Sequence, residues 1–266
     1  MGIHRGVNGG ERPPAVLVPF ALLGLAFVGL PFVGLLQRMP WSRLADLLRE
    51  PVLTDALRLS VTTAVAATLV SLLLGIPLAW VLARSRFRGR SVVRALVVLP
   101  MVLPPVVGGA ALLFALGRRG LLGEPLYEGT GVLLPFSSWG VVVANTFVAM
   151  PFLVVTVEAG LRAADRRYEE AAATLGASRW TILRRVTLPM AAPSIVAGAV
   201  LCWARALGEF GATITFAGNL QGRTQTLPLA VFVALESDRE VALALSLVLI
   251  AVSLAVLVPL RDRWLA

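Results

Sequence analysis

The sequence predicts an all-α integral membrane protein with six transmembrane helices and both termini in the cytoplasm. Of its 266 residues, 58% are hydrophobic and 15% are charged, and the mean hydropathy is +0.84. Soluble domains are about 45–50% apolar and about 25% charged, so most of this chain belongs in a bilayer. Apolar stretches of spanning length recur along the chain, and arginines are unevenly distributed among the loops between them. One integral domain accounts for nearly the whole length.

The six spans follow from length and composition. A spanning helix needs about 20 mostly apolar residues. Residues 1–14 form a polar tail, and the apolar run after it is too long for a signal-peptide core and lacks an obvious small-residue cleavage site, so it is interpreted as an uncleaved first span. The transmembrane domain covers 15–260, and 261–266 form a C-terminal tail. The predicted spans are 15–37, 55–83, 92–117, 138–161, 189–216 and 241–260.

The arginines predict the orientation, because cytoplasmic loops carry an excess of basic residues. With the N-terminus inside, fifteen of the 24 arginines lie on the cytoplasmic side, eight lie on the opposite side, and Arg205 lies within a span. Both termini are therefore predicted to be cytoplasmic. The densest cluster, between Arg84 and Arg90, is interpreted as a membrane anchor rather than as a regulatory element.

The composition also excludes several classes of function. Every one of the 24 Lys-plus-Arg residues is arginine, the one histidine is His4, and the one cysteine is Cys202. A P-loop lysine, a Schiff base, a histidine triad and a cysteine or histidine metal cluster are thus excluded. We assign no catalytic, cofactor or metal site. The net charge of +9 indicates anionic lipid and topology rather than nucleic acid, since the arginines lack interleaved aromatic residues.

A polar segment, 165–189, lies between the fourth and fifth spans. It contains Glu170-Ala171-Ala172, three residues, Gly176, nine residues, and then Val186-Thr187-Leu188-Pro189. Alanine and glutamate favour helix, and glycine permits a sharp turn. We expect a helix as far as Leu175, a turn at Gly176, a second short helix over 178–186, and Pro189 in the first turn of the fifth span. The alternative is an ordinary amphipathic loop whose charges face water.

The full spacing resembles the coupling motif of ATP-binding-cassette (ABC) importer permeases, with Val186 where isoleucine is commoner. The resemblance implies a type I ABC importer permease fold. It also implies that the first short helix inserts into a groove on a separate ATPase and transmits ATPase movement to the spans. The arginine distribution independently places this segment in the cytoplasm, where ATP is. The residues that match the motif, and so carry the predicted coupling, are Glu170, Ala171, Ala172, Gly176, Leu188 and Pro189.

Two passages are candidates for the translocation pathway. In the third span, three prolines and two glycines within 99–109 interrupt the helix near mid-depth, and the freed backbone groups must be satisfied by protein or water. Such breaks line pathways in some transporters and serve only packing in other proteins, and both readings stay open. The candidate residues of this span are Pro104, Pro105 and Gly108.

In the fifth span, Arg205 and Glu209 are one helical turn apart and can pair. A charge in hydrocarbon is costly, so each must face a partner or water. Structural pairing alone and direct contact with the solute both remain open. Thr213 and Thr215 are weaker donors, which suit a pathway that has to release its anion.

The residues around this pair narrow the family. Residues 206–213 (ALGEFGAT), 216–219 (FAGN) and 224–229 (TQTLPL) resemble the permeases of molybdate importers; sulfate permeases share the core at 207–211 and usually diverge after it. Tungstate is chemically too similar to separate from molybdate. The resemblance implies a homodimer with its pathway on the two-fold axis, two ATPase subunits, an extracytoplasmic oxyanion-binding protein, and a bacterial or archaeal plasma membrane. The alternatives are a sulfate or thiosulfate permease, and a passive channel or scaffold without an ATPase.

Overall fold

A computed structural model describes residues 14–264 of the chain, with side chains as far as residue 258. The secondary structure of this part is helical, and a single 3₁₀ turn, Trp41–Arg43, precedes the second helix. The predicted N-terminal tail lies almost wholly outside the described residues. The helices are α1 (Leu17–Gln37), α2 (Leu44–Leu47), α3 (Pro51–Arg84), α4 (Arg90–Val102), α5 (Pro105–Leu116), α6 (Gly123–Thr130), α7 (Ser138–Ala163), α8 (Arg167–Thr174), α9 (Arg179–Ile182), α10 (Leu188–Leu207), α11 (Gly211–Phe216), α12 (Leu227–Ser237) and α13 (Arg239–Trp264).

Five helices of the described chain are long and apolar enough to cross a membrane, and α4 with α5 makes a sixth span if the bent pair is counted as one. The five are α1, α3, α7, the continuous helix from Arg179 to Leu207, and α13. The all-helical membrane architecture is therefore confirmed. Outside the third and fifth spans, the helix ends lie within four residues of the predicted bounds, and α13 runs on into the predicted C-terminal tail.

The centre of the fold is α7, which packs against both α3 and α10. Small residues permit this close approach: a Cβ at Gly75 of α3 would lie 3.1 Å from Leu153 and Val154, and one at Gly198 of α10 would lie 3.3 Å from the Cα of Leu153. Lipid tails are as apolar as leucine, so helices in a bilayer associate through such tight packing. These contacts bury the middle of α7 and fix α3 and α10 on either side of it.

The third predicted span, 92–117, is not one straight helix. α4 ends at Val102, α5 begins at Pro105, and their axes differ by 119°. Leu103 and Pro104 have extended backbone angles, because a residue that precedes proline is pushed away from the helical region. The predicted interruption is confirmed, but its consequence is larger than expected: α4 packs on α7, whereas α5 packs chiefly on α11.

The fifth predicted span, 189–216, was wrong at both ends. The helix is continuous from Arg179, through a π-helical turn at Leu183–Thr187, into α10, so it begins ten residues before Pro189. The wider turn lies directly before this proline, which has no N–H to donate to the preceding turn. At the other end, α10 stops at Leu207, and the separate helix α11 starts at Gly211.

α1 lies at the edge of the fold and has no buried residue. It touches α13 across an apolar groove whose lining includes Phe32, Leu36, Leu247 and Leu254. Its large side chains, such as Phe27, are mostly exposed, as expected for a helix that faces lipid.

Close packing between α7 and α10 predicts a strong effect of one added methyl group. A Cβ at Gly160 would collide with the side chain of Ser194, and overpacking costs about 1–3 kcal/mol. We expect Gly160→Ala to lower the thermal unfolding temperature of the purified protein. Gly24→Ala, where a Cβ meets nothing within 4 Å, is the matched control and should leave that temperature unchanged or slightly raise it. Equal unfolding temperatures for the two variants would contradict the packing described.

Candidate coupling site and translocation pathway

The polar segment between α7 and α10 forms a helix, a turn and a second helix. At the end of α8, the Gly176 N–H donates to the carbonyl of Ala173 (3.0 Å) and the Ala177 N–H donates to the carbonyl of Ala172 (3.1 Å). Gly176 has a φ of +80°. This pair of bonds is a Schellman motif, which a glycine in the left-handed conformation closes at little cost. The predicted turn at Gly176 is therefore confirmed.

The second helix of the segment also has a local cause. The Ser178 hydroxyl accepts a hydrogen bond from the Thr181 N–H (3.2 Å) and so caps the start of α9. The predicted short helix over 178–186 is present as α9 and the π-helical turn. It then continues into α10 without interruption, so Leu188 and Pro189 lie within one long helix.

The outer face of this segment is open and partly apolar. Leu175 is 88% exposed, Trp180 is 68% exposed, and Glu170 is exposed as well. An open cleft of about 620 Å³ lies among α8, α9 and the end of α3, and its lining includes Trp80, Arg84, Glu169, Glu170 and Trp180. Exposed apolar residues beside polar ones are typical of a protein–protein contact surface.

The inner face of α8 is attached to two spans, which the sequence did not reveal. Glu169 pairs with Arg84 at the end of α3 (2.9 Å) and accepts a hydrogen bond from the Thr187 hydroxyl (3.0 Å) in the π-helical turn. Arg84 and Glu169 are 85 residues apart. No local pattern marks such a pair, so the sequence offered no signal beyond the presence of both charges at span ends.

The Arg205–Glu209 pair predicted from the sequence is present. Arg205 Nη2 lies 2.6 Å from Glu209 Oε2, and the Glu209 side chain is 1% exposed. Its other carboxylate oxygen, Oε1, accepts a hydrogen bond from the Ala212 N–H (2.8 Å) in the first turn of α11. Glu209 thus links the end of α10 to the start of α11, across the break that the sequence did not predict.

The helix α11 packs against the corner formed by the break in the third span. A Cβ at Gly211 would lie 2.9 Å from Pro105, and one at Gly109 would lie 2.8 Å from the carbonyl oxygen of Ala212. Gly108 packs against Phe147 of α7 instead. Pro105 and Gly108 thus make packing contacts, while Pro104 is exposed at the corner between α4 and α5.

The two threonines have different surroundings. Thr213 is fully buried and its hydroxyl lies 3.4 Å from the Oδ1 of buried Asn145. Thr215 is partly buried and donates to the carbonyl of Gly211 (2.8 Å). The structure thus places Thr213 against Asn145 of α7 and Thr215 against Gly109 of α5. Contact of any of them with a transported solute remains a prediction.

The passage after α11 is a compact loop tied to two spans. The Leu220 carbonyl accepts from the N–H groups of Arg223, Thr224 and Gln225. The Ser138 hydroxyl of α7 donates to the carbonyl of Arg223 (2.8 Å). Ser60 of α3 accepts from the Leu227 N–H at 2.7 Å, which holds the start of α12. The 217–227 region is therefore a defined structural unit. Among residues 14–258, whose side chains the structure describes, no group of three metal-ligating side chains occurs.

Comparison with known proteins defines the class. Residues 71–266 match the family of binding-protein-dependent transport system inner membrane components. The chain belongs to this family. It is a multi-pass inner-membrane transport subunit, not an enzyme by itself, and it works with a separate ATPase and a periplasmic binding protein.

Individual relatives share most of the chain. It is 50% identical over 226 residues to the molybdenum transport system permease protein ModB of Mycobacterium tuberculosis, covering 85% of each chain. It is 37% identical to the sulfate transport system permease protein CysT of Escherichia coli, covering 84% of this chain and 80% of that one. The crystal structure of a bacterial ABC importer of alginate has the same fold, with a TM-score of 0.73 at 21% identity, over 94% of this chain and 92% of that one.

The double role of Glu209 predicts a graded response to substitution. Glu209→Ala removes both the ion pair and the cap of α11, and loss of one partner of a buried pair costs about 3–5 kcal/mol. Glu209→Gln keeps an oxygen acceptor for Ala212, so we expect a smaller loss, on the order of 1–3 kcal/mol. Unfolding of the purified variants in detergent measures both. Glu236→Ala, at an exposed carboxylate of α12, is the control and should match the unmodified protein; an equally stable Glu209→Ala would contradict the described role.

Proposed function

We propose that the chain is the membrane-spanning permease subunit of an ATP-driven importer for molybdate or tungstate. The observation that carries this proposal is the 50% identity, over 85% of both chains, to a permease named for molybdenum transport. Identity to the sulfate permease is lower, 37%. Three passages resemble molybdate permeases. They contain the Glu209 cap and the compact loop after α11, and they cover 206–213, 216–219 and 224–229.

ATPase coupling is assigned to the segment 165–189. Glu170 is exposed in α8, and Gly176 forms the turn after α8. Ala171 and Ala172 lie between them in the same helix. Leu188 and Pro189 begin α10, so the segment is continuous with a membrane span. A helix that is exposed on one side and rigidly connected on the other suits transmission of movement from a partner to the spans.

Transport requires a second copy of the chain and an energy source. We infer a homodimer with the pathway at its two-fold axis, with two ATPase subunits on the cytoplasmic side and an oxyanion-binding protein outside. ATP binding draws the two coupling segments together and opens the pathway outward, and hydrolysis resets it. The energetic basis is the different affinity of the ATPase and the binding protein for the two conformations. The candidate pathway residues remain those of the fifth span, Arg205, Glu209, Thr213 and Thr215, and those of the third span, Pro104, Pro105 and Gly108.

A sulfate or thiosulfate permease is the second candidate, and the 37% identity to CysT supports it. Both oxyanions are tetrahedral dianions, so the same membrane domain suits either, and the external binding protein would contribute most of the selectivity.

An uptake experiment separates these candidates. We expect labelled molybdate to enter a strain that lacks its own high-affinity molybdate permease once this chain, its ATPase and its binding protein are supplied. Uptake should require ATP hydrolysis and should persist in excess sulfate. Uptake abolished by sulfate, or entry of sulfate alone, would move the assignment to the sulfate branch.

The left-handed conformation of Gly176 predicts how substitutions act on ATPase docking. A side chain there meets no atom within 4 Å, so only backbone strain matters, and the left-handed region costs a residue with a Cβ about 1–2 kcal/mol. We expect Gly176→Val to weaken ATPase binding roughly 5- to 30-fold, since about 1.4 kcal/mol corresponds to a factor of ten, and Gly176→Asn to weaken it less, because asparagine tolerates this region better.

Binding of the purified ATPase to the detergent-solubilised permease measures this effect. Gly129→Val is the control, because Gly129 also has open space around it but does not have a positive φ. Unchanged ATPase affinity in Gly176→Val would remove the turn from the coupling site.

A further inference from the structure

We propose that Glu169 is a positioning residue that transmits movement of α8 to two membrane spans, through Arg84 and Thr187. This inference rests on the proposed function, because it gives a route from the ATPase contact to the membrane domain. The coupling motif matched in the sequence begins at Glu170, one residue later, and does not include Glu169.

The geometry places Glu169 between three helical elements. Its Oε1 atom lies 2.9 Å from Arg84 Nη2, at the last residue of α3, and 3.0 Å from Thr187 Oγ1, at the end of the π-helical turn before α10. One carboxylate oxygen of α8 therefore contacts the ends of two spans. Those two spans, α3 and α10, are the neighbours of the central helix α7.

The three side chains line the open cleft beside α8 but expose little surface. The Arg84 side chain is 7% exposed, the Glu169 side chain is 18% exposed, and Thr187 is 3% exposed. An ion pair in water contributes little, but removing one partner of a sheltered pair leaves a charge without compensation. The Arg84–Glu169 pair is therefore a firm connection rather than a transient surface contact.

Adjacent residues of α8 differ in exposure. Successive residues of an α-helix point about 100° apart; both glutamates line the cleft, but Glu170 is exposed, whereas Glu169 is partly buried and contacts Arg84 and Thr187. Besides these contacts, α8 is connected to the membrane domain by the chain at each end. Without the Glu169 connection, α8 loses its ion pair with α3, and its movement reaches α10 only through the turn at Gly176 and the helix that begins at Arg179.

The test is the number of oxyanions imported per ATP hydrolysed by the whole complex in liposomes, with labelled molybdate as the probe. We expect Glu169→Gln to keep ATPase binding and ATP hydrolysis within about twofold of the unmodified complex and to lower import per ATP at least fivefold. Thr187→Val, which removes one of the two contacts, should lower it less. Glu128→Gln, at an exposed carboxylate of α6, is the control and should not change the ratio.

A charge exchange tests the pair itself. Arg84→Glu combined with Glu169→Arg restores opposite charges, and we expect it to recover import per ATP relative to either single change. An unchanged ratio in Glu169→Gln would overturn the proposal. Loss of ATPase binding would overturn it too, by placing Glu169 in the docking surface. A protein that no longer accumulates, in both Glu169→Gln and the exchange, would assign the pair to folding and likewise reject the role.

Failure of the proposed function gives a different result. If the unmodified complex imports sulfate but not molybdate, the substrate assignment fails, and the same ratio measured with labelled sulfate still tests Glu169. If the unmodified complex couples and Glu169→Gln couples equally well, only the positioning role fails.

Discussion

The packing of α3 and α10 against α7 determines where the cytoplasmic ends of these helices lie. Because α3 and α10 approach α7 through Gly75 and Gly198, their ends converge, and Arg84 and Thr187 come close enough to share one carboxylate. Arg162 of α7 joins the same region by donating to the carbonyl of Leu82 (3.4 Å). The polar segment thus rests on a rigid base of three helices.

The buried carboxylate of Glu158 extends this base to the broken span. Glu158 of α7 pairs with Arg162 at 2.7 Å and also with Arg94 of α4. Since α4 and α5 differ in direction by 119°, α4 needs its own attachment to α7, and the ion pair provides it. The arginines near the span ends, which the sequence explained as orientation signals, include several that hold helices together.

The sequence predicted local features well and distant pairings poorly. The turn at Gly176 follows from a helix-forming run and a following glycine, and the Arg205–Glu209 pair follows from spacing along one helix. By contrast, the stop at Leu207 depends on α11 packing into the corner made by Pro105, and the Arg84–Glu169 pair joins residues 85 positions apart. The substrate branch was indicated by resemblance around 206–229, where the structure shows a helix cap and a self-bonded loop. The physical chemistry of those residues alone does not identify an anion.

The peripheral position of α1 bears on how the protein reaches its final form. The helix has no buried residue, so the packed unit begins with α2 and α3, and the residues that match the transport family begin at residue 71. During synthesis, α1 emerges before α2 and α3 and can enter the bilayer before these later neighbours exist. Insertion of α1 and assembly of the core are therefore separable steps in this protein, because α1 contributes no buried residue and the later helices form the core against one another.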